Sequence, residues 1–336
     1  RYSRALDGEA DGFDGPAWWS GFDAPGLEAL INQALEGNLD VRQGAERLAA
    51  AQALAGAARS DFFPTIDGGV RYDARSTGAD TASASLGLAQ VIDVNGRLRR
   101  AEDQARARLL ATQFELEDLR RLTAASVASL YVDARRAGAR LALLDASLEL
   151  QQRTLDIVEQ RAEAGLSADL DVRRATADLA RTRAQRGALT LQLERARNVL
   201  AVLVGEVPGG ELDALALADQ AAGDSNALGL SYDGAIPLGA PADLLRRRPD
   251  LRAAEAQLVA ATAAIGVEQA DLYPSLRLPG SITADLTDGP GEAVAASLAA
   301  VLDVPVFDMG RRRAEVTAAR ARAAEAALAY EQAVLN

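Results

Sequence analysis

The 336 residues contain neither histidine nor cysteine. Imidazole acid–base chemistry, thiol nucleophiles, disulfides and Cys/His zinc sites are therefore excluded across this sequence. What remains for chemistry is carboxylate, guanidinium and hydroxyl, with 48 Asp and Glu against 36 basic residues and a net charge of −12. An enzyme built from these would need paired carboxylates, or Ser chemistry, converging in a cleft. Instead the acidic residues sit three or four positions from Arg along runs of helix formers, the spacing of ordinary surface ion pairs. No constellation calls for catalysis, and none calls for a cofactor or a metal. The acidic balance also disfavours nucleic acid, whose binders cluster their basic residues. Arg246, Arg247 and Arg248 form a basic run before Pro249, read as packing against acidic neighbours rather than as a phosphate site.

The elements that would position such residues centre on Gly96 to Gly205. Good helix formers fill it in two arms around the turn Ala164-Gly165-Leu166-Ser167-Ala168-Asp169. Toward the turn, Leu141, Leu144, Leu148, Gln151, Leu155, Val158 and Ala162 step alternately three and four residues. On the return, Leu189, Leu193, Ala196, Leu200 and Leu203 do the same. That seam predicts an antiparallel coiled coil of two long helices, the outgoing one roughly 100 Å long. At the turn, Gly165 is expected to supply the positive φ, and Ser167 or Asp169 to cap the returning helix. Neither role calls for an exposed Leu166.

The period changes from Thr65. In TASASLGLAQVID, Ala82, Ala84, Leu86 and Leu88 alternate with Ser83, Ser85, Gly87 and Ala89, the mark of a strand with one apolar and one small polar face. TIDGGVRYDARS before it is its partner, joined through TGAD. Strands of about ten residues suit a tilted bilayer crossing, although a hairpin at the edge of a soluble sandwich would read alike. No apolar run approaches the ~20 residues of a transmembrane helix.

The chain then repeats itself. Asn38–Ile66 matches Arg248–Leu276, with Asp40 on Asp250, Arg42 on Arg252, Asp61 on Asp271 and Pro64 on Pro274. The second copy also continues into strands, SLRLPGSITADLTD and AVAASLAAVLDVPVF, around a loop at Asp288–Gly291. Gly310-Arg311-Arg312-Arg313-Ala314-Glu315 echoes the start of the first long helix. The unit helix, β-hairpin, long helix thus occurs twice. Arg1 begins nothing like a signal peptide and Asn336 falls in a helical run without a stop signal, so a trimmed chain is expected, its second long hairpin cut short.

The reading divides the chain into an N-terminal arm (1–25) anchored by Trp18 and Trp19, first-repeat helices (26–64) with Asn38 as a cap, and a first β-hairpin (65–94). The long helical hairpin (95–205), an irregular segment (206–240), a second-repeat helix (241–273), a second β-hairpin (274–308) and the start of a second long hairpin (309–336) follow. The fold class is mainly α with a small β part. Four strands cannot close a barrel, and an open edge in lipid is prohibitive, so hairpins that enter a bilayer must be pooled by several protomers. Three copies give a 12-stranded barrel, apolar residues toward lipid and Ser, Thr, Gly, Asp and Arg toward water. Phe62, Phe63, Tyr72, Tyr273 and Phe307 are the candidate aromatic girdle residues.

At WWSGFDAPGLEALINQALEGNLDVR (Trp18–Arg42), DFFPTIDGG (Asp61–Gly69), IDVNGRLRRA (Ile92–Ala101), AGLSADLDVRRA (Ala164–Ala175) and IPLGAPADLLRRRPDLRAAEAQL (Ile236–Leu258), the sequence resembles the TolC-like outer membrane efflux protein family. The last of these points to the lipoprotein branch that serves multidrug pumps. The resemblance implies a homotrimer, with a transmembrane β-barrel in the outer membrane of a Gram-negative bacterium and an α-helical barrel in the periplasm. It implies an exit duct for small molecules, partnered by a periplasmic adaptor protein and an inner-membrane transporter. It makes Ala164 to Asp169 the adaptor-docking tip. Asp73 and Asp285 are read as lining the barrel lumen and biasing it against anions. Members of the branch begin with a lipidated cysteine, which this sequence lacks. The duct of a type I protein-secretion system and a periplasmic coiled-coil scaffold are the competing readings.

Overall fold

A computed structural model describes residues 19, 22, 24–78, 80–209, 247–286 and 294–336. Most of the N-terminal arm (Trp18 included), the irregular segment beyond Gly209, Arg246 and the Asp288–Gly291 loop lie outside the described residues. The elements are α1 (Pro25–Gly37), α2 (Leu39–Ser60), β1 (Thr65–Asp73), β2 (Thr81–Ile92), α3 (Arg97–Glu163) and α4 (Asp169–Val204). After them come α5 (Pro249–Ala270), β3 (Ser275–Asp285), β4 (Val294–Leu298), β5 (Val301–Asp303) and α6 (Arg311–Leu335). The described parts of Ala45–Leu116 and Ala240–Asn336 form one compact unit; those of Ala10–Gly44 and Glu117–Gly239 form a second. The 67-residue α3 contributes to both.

The second unit has a conventional core. Leu27, Leu30, Ile31 and Ala34 line one face of α1, as their three-and-four spacing requires, and meet Val127 and Tyr131 of α3 and Ala196, Leu200 and Val204 of α4. Burying each large side chain is worth about 1.5–3 kcal/mol. Trp19 packs against this cluster. Asn38 caps α2 through its Oδ1, which accepts the N–H groups of Asp40 (2.9 Å) and Val41 (3.1 Å). Along the α3–α4 coil the seam residues Leu155 and Leu179 are buried and Leu141, Leu144, Leu148 and Leu189 half-buried.

The first unit holds the sheet. All pairings are antiparallel, in the order β1–β2–β3–β4, with β5 also on β3. The second hairpin's outer strand is interrupted at Ala299 and Ala300, although Gly280↔Leu298 and Arg277↔Val301 share one register. The break lies opposite Pro279, which has no N–H for the ladder. Helices α5 and α6 pack together, and small residues are buried on both, Ala253, Ala256, Ala260 and Ala263 on α5 and Val316, Ala319 and Ala323 on α6. Aspartate caps hold both elbows from sheet to long helix. The Asp93 carboxylate accepts from Leu98 N–H (3.0 Å), and that of Asp308 from Gly310 N–H (3.0 Å). Among the described residues, no helix is long and apolar enough to cross a membrane.

Candidate functional site

The hairpin tip is built by two helix ends. Helix α3 closes in a double bond pattern, with Leu166 N–H donating to Arg161 C=O (2.7 Å) and Gly165 N–H to Ala162 C=O (2.9 Å). The motif requires a left-handed residue, and Gly165 supplies it at φ +72°. The expected cap on α4 is corrected: its N-cap is Ala168, and no side chain caps it. Ser167 lies one residue too early and its hydroxyl donates to Asp171 Oδ2 (3.2 Å). Asp169 is already inside the helix and accepts from Arg173 Nε (2.9 Å). Asp169 and Asp171 favour the first turn electrostatically instead.

Ala164, Gly165, Leu166, Ala168 and Asp169 are exposed at this turn and Ser167 is half-buried. Leu166 is 72% and nearby Leu170 55% exposed. Leu166 is thus an exposed apolar side chain on a short, hydrogen-bonded turn flanked by Glu163 and Asp169. Further along the coil, Arg186 occupies a seam position and crosses to Asp145, Nε to Oδ1 at 2.8 Å. That hydrogen bond, more than the charge itself, holds the Asp145 carboxyl below the usual carboxylate range and raises Arg186.

The register sorts the sheet residues onto two faces. Ile66, Val70 and Tyr72 of β1 stand opposite Leu88, Ala84 and Ala82 of β2. Across the next seam Leu88, Leu86 and Ala84 stand opposite Gly280, Ile282 and Ala284 of β3. This face carries no charged residue among the described strands, and much of it is bare: Val70 is 80% and Leu298 77% exposed. Its polar exception is Gln90, whose amide donates to the carbonyls of Phe62 and Val91. The other face carries Asp67, Arg71, Ser83, Ser85, Thr283 and Ser297, and both predicted carboxylates. Asp73 accepts from Arg71 Nε (2.8 Å), while Asp285 lies opposite Ser83, in one row with Arg71. The two carboxylates share a face but not a row. Asp67 lies on the same face; the alternation that placed Asp73 there could have found it. Arg248, from the basic run, is bonded to Asp250.

The Outer membrane efflux protein family matches residues 30–206 and 240–336, most of the chain. The chain belongs to the outer membrane efflux protein family. It is 32% identical over 329 residues to Nodulation protein T of Rhizobium leguminosarum bv. viciae, covering 95% of this chain and 66% of that one. It is also 32% identical to the solvent efflux pump outer membrane protein SrpC of Pseudomonas putida, covering 93% and 68%. The solved outer-membrane channel OprN superposes with a TM-score of 0.80 at 33% identity, over 97% of this chain and 74% of that one. The chain spans about two thirds of the length of the curated relatives it matches. Outer membrane efflux proteins are channel components rather than enzymes, which accounts for carboxylates arranged in surface ion pairs. As in that family, the fold joins long helices to a small antiparallel sheet.

Proposed function

We propose that the chain forms the exit duct of a tripartite efflux pump, carrying small molecules from the periplasm to the exterior. The observation that carries this reading is the sheet: four strand paths, one continuous uncharged apolar face left bare, and edges at β1 and β4–β5 that no described strand covers. Each backbone group left unpaired in lipid costs several kcal/mol. Three copies pairing β1 with β4–β5 would close a 12-stranded barrel with its apolar face to lipid. Tyr72 stands at one end of the strands, and Phe63, Tyr273 and Phe307 flank the other, where interfacial aromatics belong. The helices then extend into the periplasm, and the Ala164–Asp169 tip receives a periplasmic adaptor that couples the duct to an inner-membrane transporter.

Two experiments test this. Native mass of the complete protein extracted from outer membranes in detergent should give a trimer. A monomer or dimer recovered without detergent would overturn the barrel. Leu166→Asp, or Gly165→Val, should abolish efflux while trimer and membrane insertion persist. Loss of the trimer in Leu166→Asp would show the tip to be merely structural.

A further inference from the structure

The polar face of the sheet is not uniformly charged. Its ends hold mixed charges: Asp73 with Arg71 and, at the other end, Asp303 accepting from Arg277 Nε at 2.8 Å. Between them lies a band of small side chains. Gly69, Ser85, Thr283 and Ala295 form one row; Gly87, Ser281 and Ser297 form the next, and Asp67 stands in it. Space does not demand the glycines. A Cβ on Gly69 would meet only Ser85 Oγ at 3.5 Å, and one on Gly87 only the Asp67 carbonyl at 3.8 Å. The band is kept bare where larger residues would fit.

Resting on the barrel reading above, we infer that Asp67 is the residue that makes the duct's barrel prefer cations over anions. Its carboxylate is exposed on the wall. The guanidinium on its own strand, Arg71, is about 13 Å along and turned to Asp73. Facing β1 across a closing seam, β4 and β5 present Ala295, Ser297, Val301 and Asp303 on this face, and bring no cation. Asp67 therefore adds an uncompensated charge to the band of small residues, one per copy. With a screening length of about 10 Å at 0.1 M salt, it acts on ions passing through a bare lumen and attracts cations.

The test is the reversal potential of the complete protein in planar bilayers under a KCl gradient. Wild type should favour K⁺. Asp67→Asn should lower the K⁺/Cl⁻ permeability ratio roughly twofold or more, the scale of a partly screened wall charge, and Asp67→Lys should invert it. The charge-neutral pair Arg71→Gln with Asp73→Asn should leave the ratio in place. An unchanged ratio in a conducting Asp67→Asn channel, or an equal shift in the double variant, overturns the assignment alone. The barrel strands carry no cysteine, so a single thiol introduced there is read as the gain in labelling over the parent protein. Asp67→Cys should react with a charged, membrane-impermeant thiol reagent and Val70→Cys should not. Equal reactivity of the two overturns the barrel reading, and the Asp67 assignment with it.

Discussion

Asn38 uses both ends of its amide. While Oδ1 caps α2, Nδ2 donates to the Leu203 carbonyl (2.9 Å) in the last turn of α4, and the side chain is buried. Asn38→Ala should therefore cost about 1–2 kcal/mol, a cap plus an orphaned carbonyl, read as a lowered melting temperature of the detergent-solubilised protein. Beside it, two glycines let the chain cross itself. Gly205 closes α4 at φ +84°, and a Cβ there would lie 2.4 Å from the Gly37 carbonyl oxygen. Gly205→Ala should destabilise by about 2 kcal/mol or more, since it combines left-handed strain with a backbone clash. The capping role of Asn38 is legible in sequence, from an Asn before a helical run. Its second bond, to a carbonyl in a distant part of the chain, is not.

At the scale of elements, the return seam of the α3–α4 coil is uncharged except at Arg186. Its partner Asp145 lies on the other arm, so the pair fixes which turn of α3 faces which turn of α4. The depressed Asp145 pKa sets the sign of its pH dependence. Its contribution is complete above the ordinary carboxylate pKa of about 4, and is lost as pH falls through the lower folded-state value. Melting of wild type should therefore drop more between pH 6 and pH 3 than that of Asp145→Asn. The heptad seam itself was legible, because a three-and-four step is a local pattern. The α4 cap was misread, because Ser167 and Asp169 both have capping chemistry and only the turn's closure on Gly165 decides which residue sits at the boundary. The lapse in the fourth strand was hidden for a different reason. AVAASLAAVLDVPVF is uniformly strand-like, and Pro279, on another strand, interrupts it.

For the whole molecule, residue patterning located the helices, the repeat and the two faces of the sheet, because each follows from a short period. It could not show which carboxylates are compensated. Asp73 is two residues from Arg71 and on its face, and bonded to it; Asp67 has no such neighbour among the strand residues. Burial also differs between the parts. Leu27, Ile31 and Leu200 sit inside a core within one chain, whereas Ile66, Val70 and Leu298 have no cover from the described residues of the chain that carries them. A single copy in water should thus aggregate through its sheet; light scattering on detergent removal would check this.

The order of strands in the sheet also dictates an order of events. Ala84 pairs with Ala284, so the central seam joins two hairpins that lie far apart in the sequence. An isolated two-stranded hairpin is marginal in water, while the α3–α4 coil between them relies on contacts nearer in sequence, which form fast. The helical hairpin therefore forms ahead of the central seam, and it shortens the free chain that this seam must close. Until the seam closes, β1 and β2 remain a ribbon with an open edge, which a holding chaperone would have to cover.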